Sequence, residues 1–202
     1  VEIAADDGVA RLVVYIQEVA TVTEAVETGD HRTVAVFGLQ AAIDNGADSV
    51  YCGVEQLNMR ARASINFTLD DLQQISDRCR VKNVRTYLTL NTIIYDHDLS
   101  IVKTLIRQAK EAKITAVIAM DQAVIAIARQ EGMEVHISTQ INVTNIETLK
   151  FYAMFADTVV LSRELSLRQV KKITEQIEKE QIKGPSGRLV EIEIFGHGAL
   201  CM

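Results

Sequence analysis

The sequence predicts an α/β fold, a parallel (β/α) barrel-like domain of incomplete or compact TIM type. Three observations predict it. Short β-branched runs recur along the 202 residues, and amphipathic helical stripes separate most of them. The runs are apolar almost throughout, as expected of parallel strands buried on both faces. Each run also ends in polar or charged side chains just before the next helix opens. In parallel α/β sheets that end of the strand is where ligands bind.

Taken in order, eight runs qualify: 11–16, 33–37, 49–54, 85–91, 116–120, 135–139, 158–161 and 190–195. Eight strands suit a barrel, although about 250 residues is its usual size. A doubly wound open sheet fits the same periodicity. Between the runs, a helix over 39–44 is closed by Asn45-Gly46, a C-terminal stop. Thr68-Leu-Asp-Asp71 reads as a capping box opening a helix with Leu69, Leu72 and Ile75 on one face. Residues 92–96 read as a loop crossing the end of the 85–91 strand. Ser100 is expected to cap a helix with Ile101, Leu105, Ile106, Ala109 and Ala112 as its stripe. Thr144 or Asn145 opens another helix. Ser166 caps one with Leu167, Val170, Ile173 and Ile177 inward, and Lys183-Gly-Pro-Ser-Gly187 is the clearest loop.

Composition narrows the class. Hydrophobic residues make up 48% and charged residues 24%, an ordinary globular mixture that reads as a single α/β domain over 1–202. No apolar run approaches the roughly 18 residues of a membrane span, and the first thirty residues lack a secretory pattern. The expected location is cytoplasmic. A net charge of −6 does not advertise nucleic-acid binding, although a local basic cleft is compatible with it. Three cysteines, Cys52, Cys79 and Cys201, form neither a disulfide framework nor a Cys-x-x-Cys pair. Cys52 on a strand and Cys79 on a helix read as core thiols.

The candidate site is the set of strand ends. Asn58, Arg60 and Arg62 follow the third run, Thr89 and Asn91 close the fourth, and Asp121 follows the fifth. Ser138, Thr139, Gln140 and Asn142 follow the sixth, Arg163 and Glu164 the seventh, and His197 and Cys201 the last. Asp121, Gln140, Glu164 and His197 are the candidate catalytic groups, because carboxylates, an imidazole and an oriented amide move or polarise protons. Asn58, Arg60, Arg62, Asn91, Ser138, Asn142 and Arg163 are the candidate binding groups, suited to a polar, anionic ligand. Bland readings stand beside these: Asp121 as a helix cap, Arg163 and Glu164 as a local ion pair, Asn91 and Gln140 as partners of rim backbone. No His-Glu-x-x-His pair, Gly-x-Ser-x-Gly elbow, phosphate loop or dinucleotide fingerprint is present.

From Leu39 onward the motifs resemble the collagenase-like peptidase family, number 32 of the unassigned (U) class. They are Ala41-Ala-Ile-Asp-Asn-Gly-Ala-Asp-Ser-Val-Tyr51, Asn58-Met-Arg-Ala-Arg-Ala63 with Asn66-Phe67-Thr68, and Thr89-Leu-Asn-Thr92. His136-Ile-Ser-Thr-Gln140 with Asn142-Val-Thr144, Leu161-Ser-Arg-Glu-Leu-Ser166 and His197-Gly-Ala-Leu-Cys-Met202 complete the set. The family's usual Ala-Pro-Ala-Gly turn is replaced by Thr33-Val-Ala-Val-Phe-Gly38, so residues 1–38 are atypical.

The resemblance implies either a peptidase or hydroxylation of a transfer-RNA uridine, a ribosomal-RNA cytidine or the ubiquinone ring. It also implies an iron–sulfur cluster on four cysteines in a longer protein, with Cys201 as its first ligand. RNA hydroxylation is the leading expectation; a peptidase or a non-catalytic binding domain is the alternative. The expected partners are RNA (tRNA or rRNA), a polar anionic small molecule, or a peptide. The 202 residues themselves are expected to hold no cofactor.

Overall fold

The computed structural model describes residues 10–11, 39–54, 57 and 69–195. Seven strands appear in it: β1 (Ala10–Arg11), β2 (Ser49–Gly53), β3 (Arg85–Leu90), β4 (Ala116–Ala119), β5 (Glu134–Ile137), β6 (Thr158–Val160) and β7 (Glu191–Glu193). The expected strand at 33–37 lies outside the described residues, as do residues 12–38 generally. Helices fill the connections: α1 over 39–44, α2 (Leu69–Val81), α3 (Leu99–Glu111), α4 (Gln122–Gln130), α5 (Ile146–Ala153) and α6 (Leu167–Glu180).

All described pairings are parallel, in the order β1-β7-β6-β5-β4-β3-β2. From β2 to β7 each strand lies beside its successor, with no reversal. A doubly wound sheet needs such a reversal at its switch point. The chain therefore forms a curled, barrel-like row, with β1 returning beside β7 as the first strand of a barrel does.

Alternation along each strand separates two faces. Cys52, Leu88, Leu90, Val117, Ala119, Val135, Ile137, Val159, Leu161 and Ile192 face the helices and form one large apolar cluster with them. Val102, Leu105, Ile106 and Ala109 of α3 and Val170, Ile173 and Ile177 of α6 supply the helical side. Tyr87, Ala116 and Ile118 form a small separate cluster on the opposite, interior face, with Tyr51 packed against it.

Local signals explain the helix starts. Asn145 accepts from the Thr148 amide at 2.9 Å to cap α5, and Ser166 with Gln169 forms a capping box on α6. Gly46 takes φ 81° just past α1, the left-handed stop that glycine tolerates. The start of α3 differs from expectation. A 3₁₀ turn at Asp96–Asp98 runs straight into Leu99, so Ser100 lies inside the first turn and does not cap it. The buried stripe shifts to Val102, and Ile101 is 52% exposed. Leu167, at the very start of α6, is likewise exposed rather than core. Thr68 lies outside the described residues.

The loop at 183–189 closes by an antiparallel bridge between Lys183 and Leu189. Asp157 pins it, because its Oδ1 accepts from the Ser186 amide (3.0 Å) and hydroxyl (2.6 Å). Gly184 lies against that carboxylate's own backbone: an added Cβ would sit 2.8 Å from Asp157 Cα and 2.9 Å from the Ala156 carbonyl oxygen. Gly184→Ala should therefore lower stability by about 1–3 kcal/mol through overpacking against backbone. A urea-unfolding midpoint equal to the parent's would contradict this packing.

Candidate functional site

Because every described strand runs the same way, the strand-end residues gather on one rim. Asn91 follows β3, Asp121 follows β4, Ser138 through Asn142 follow β5, and Arg163 and Glu164 follow β6. Asn58, Arg60, Arg62, His197 and Cys201 lie outside the described residues. The polar groups on this rim divide by what they touch.

Asp121 is tied to backbone by both carboxylate oxygens. Oδ1 accepts from the Ala123 amide at 2.8 Å, capping α4, and Oδ2 accepts from the Ile94 amide at 3.2 Å. The second bond draws the loop after β3 across the end of β4, as the sequence suggested for 92–96. Ser138 is buried and caps a 3₁₀ turn, Thr139–Ile141, by accepting from the Gln140 amide at 3.3 Å. Thr139 donates to the Leu161 carbonyl at 3.2 Å, stitching that turn to the end of β6. Asn142 closes the turn with φ 58°, a left-handed position that asparagine accepts more readily than most residues. Gln140 and Asn142 are thus carried on a braced turn at the rim.

On the β6 side, the Arg163 guanidinium carbon lies 5.1 Å from the centroid of the Phe195 ring. This cation–π contact holds a planar fork of donors beside the end of β7. Glu164 is exposed and accepts from the Ser162 hydroxyl. That hydrogen bond, then one from its own backbone amide, lowers its pKa, so it stands as a carboxylate. The chemistry assembled on the described rim is amide, hydroxyl, guanidinium and carboxylate, a set that binds and orients a polar ligand.

Beneath the rim, the interior face holds a polar cluster that strand-end reasoning missed. His136, 2% exposed, lies between two carboxylates: Nε2 is 3.5 Å from Glu134 Oε1 and Nδ1 is 3.4 Å from Glu193 Oε1. Its ring packs on Tyr87 at 4.5 Å, and the Arg85 guanidinium lies over the other part of that stack, 5.8 Å from the Tyr87 centroid. Both His136 contacts exceed normal hydrogen-bond length, so the attraction is mainly ionic. Burial pushes His136 towards neutrality. Glu134 and Glu193 outweigh it and raise the pKa to about 9. The same contact lowers the Glu134 pKa. The available signal was period two within the strands: Arg85-x-Tyr87-x-Thr89, Glu134-x-His136-x-Ser138 and Glu191-x-Glu193 all place polar groups on one face.

The described cysteines do not fit an iron–sulfur cluster. Cys52 and Cys79 are buried in the helix-facing apolar core, away from the rim. Burial pushes their thiols up to about 12 and about 11, which keeps them protonated, whereas cluster ligands are thiolates. Among the described residues no group of three or more His, Cys, Asp or Glu is placed to hold a metal ion. No helix there is long and apolar enough to cross a membrane.

A raised histidine pKa has a definite linkage sign. The folded state holds the His136 proton up to about pH 9, whereas the unfolded chain releases it near 6.5. Its contribution, on the order of 3 kcal/mol, is complete below pH 6.5 and lost as pH rises through 9. The urea-unfolding midpoint should fall across that window, and His136→Gln should shrink the fall. An equal fall in both proteins would contradict the buried imidazolium.

Comparison with known proteins places the chain. Its residues 35–202 match the family model described as peptidase family U32. A collagenase of Porphyromonas gingivalis is 54% identical over 164 residues, covering 81% of this chain and 40% of that protein. An uncharacterized protease of Methanocaldococcus jannaschii is 44% identical over 164 residues, with 81% and 39% covered. The tRNA hydroxylation protein P of Escherichia coli is 34% identical over 170 residues, with 81% and 34% covered. The chain thus spans 34–40% of the length of these curated relatives. A solved U32 peptidase structure superposes with TM-score 0.57 at 13% identity, covering 80% of this chain and 91% of that one. A tryptophan synthase alpha chain from Legionella pneumophila gives 0.51 at 16% identity, with 83% and 76% covered, a likeness of fold alone. The motifs, the barrel-like sheet and the sequence match agree: the chain belongs to peptidase family U32.

Proposed function

We propose that the chain is the substrate-holding barrel of a U32 protein that acts in RNA hydroxylation. The observation that carries this reading is the Arg163 guanidinium braced on Phe195 beside the Gln140–Asn142 turn. A guanidinium fork binds phosphate in bidentate fashion, and amides with hydroxyls can read the edge of a base. The tRNA hydroxylation proteins among the relatives support it. On this reading Arg163 grips a phosphate or other anionic group, and Gln140 and Asn142 orient the polar ring. Asp121 and Ser138 hold the turn and loop that carry them. Arg60 and Arg62 are proposed to add anion contacts, and His197 to supply a proton-transferring group.

A peptidase is the second reading, favoured by the name of the 54%-identical collagenase. Nucleoside mass spectrometry of total RNA from cells lacking the gene separates the two. The first reading expects a hydroxylated nucleoside to disappear and to return with the wild-type gene. It expects Arg163→Lys to restore it several-fold less well, because the ammonium lacks the planar fork. Unchanged RNA, together with gelatin cleavage by the purified protein, would establish the peptidase instead.

The cluster-bearing part of this reading rests on Cys201 and on cysteines outside these 202 residues. One thiolate cannot hold the cluster, and Cys52 and Cys79 are neutral core thiols. The 202 residues should therefore purify without stoichiometric iron under anaerobic conditions. A protein of the relatives' full length should bind iron, and Cys201→Ala should reduce the loading. Iron in the short chain, or none in the long one, would remove the cluster from the account.

A further inference from the structure

Four apolar or aromatic side chains are exposed along the segment that leads from the end of β3 into α3. Ile93 is 60% exposed, Tyr95 61% and Ile101 52%, and the His97 side chain is 80% exposed. Within this segment the Tyr95 and His97 rings are parallel, 2° between planes with centroids 5.7 Å apart.

This pair is held by its backbone. The Ile94 amide donates to Asp121 at 3.2 Å, the Tyr95 amide to Asp98 Oδ2 at 3.0 Å, and the Asp98 amide to the Tyr95 carbonyl at 2.8 Å. The loop is fixed on both sides of Tyr95, so the rings are presented at little further ordering cost. Asp98, which supplies one of these bonds, also lies 3.5 Å from His97 Nε2 through its Oδ1. Asp96 is exposed beside them. The carboxylates make this a poor place for a phosphate, while a stacked pair of parallel rings leaves an outer π face on which a third flat ring can continue the stack.

We propose that Tyr95 and His97 form a stacking platform for an unpaired nucleobase, placed beside the rim that grips the RNA. The inference rests on RNA being the substrate class and adds the residues that would hold a base flat. Stacking of a base on an aromatic side chain is sequence-tolerant, since every base has a π face. Ile93 and Ile101 would border the platform, and the phosphates would lie on the Arg163 side.

The test compares a short single-stranded RNA with an abasic oligomer of the same length and charge. Anisotropy of end-labelled oligomers follows binding equally in the wild type and the variants. The abasic strand should bind the wild type about tenfold more weakly than the intact RNA, as loss of one stacked base implies. Tyr95→Phe should keep the preference for intact RNA. The double variant Tyr95→Ala with His97→Ala, both surface positions, should bind the two oligomers alike. Equal preference in wild type and double variant would overturn the platform and leave the RNA reading standing. RNA binding by neither protein would remove both. Self-association of the wild type that the double variant abolishes, without a change in RNA preference, would assign the patch to a second copy and also overturn the proposal.

Discussion

His136, Glu134 and Glu193 set the condition under which this sheet can curl. Curling brings the interior side chains of β3, β5 and β7 together, and His136, Glu134 and Glu193 are ionisable groups that meet there. An isolated buried charge is far too costly to tolerate, and the interior meets that constraint by placing a protonated imidazole between two carboxylates. Tyr87 covers the imidazole ring and Arg85 covers Tyr87. Ser138 and Gln140 continue the β5 chain directly from this cluster to the rim. The interior ion cluster and the candidate site are thus parts of one strand.

The second constraint is the sequential parallel order. It sends every strand end to the same edge and leaves the helices on the other face. Much of the rim polarity then serves to hold the rim itself: Asp121 ties the loop after β3 to α4, and Ser138 and Thr139 tie the 3₁₀ turn to itself and to β6. Both Asp121 oxygens are engaged by backbone amides, so its observed role is to cap α4 and hold the loop after β3. Gln140 and Asn142 ride on the braced turn, and Arg163 packs its guanidinium on the Phe195 ring.

The strands were legible in the sequence because buried parallel strands are nearly continuous apolar runs, and each observed strand falls inside its expected run, apart from a residue at the starts of β1 and β5. The caps at Asn145 and Ser166 were legible because side-chain capping is local. The start of α3 was not: the helix is entered through a 3₁₀ turn, which winds three residues per turn, and Val102 takes the first inward position in place of Ile101, while Leu105, Ile106, Ala109 and Ala112 are buried as expected. The interior cluster was missed because strand ends were searched and strand interiors were not. A histidine and a glutamate two residues apart reveal a shared face, but only the topology shows that Glu193, on a strand far along the chain, completes the pair.

The most direct test is the protonation state of His136 itself. Imidazole ¹⁵N chemical shifts, recorded across pH on the folded protein, should show both ring nitrogens protonated through neutral pH. The proton should be lost only near pH 9. A His136 ring that is neutral at pH 7, or titrates near the ordinary value of about 6.5, would contradict the buried imidazolium and the interior built around it.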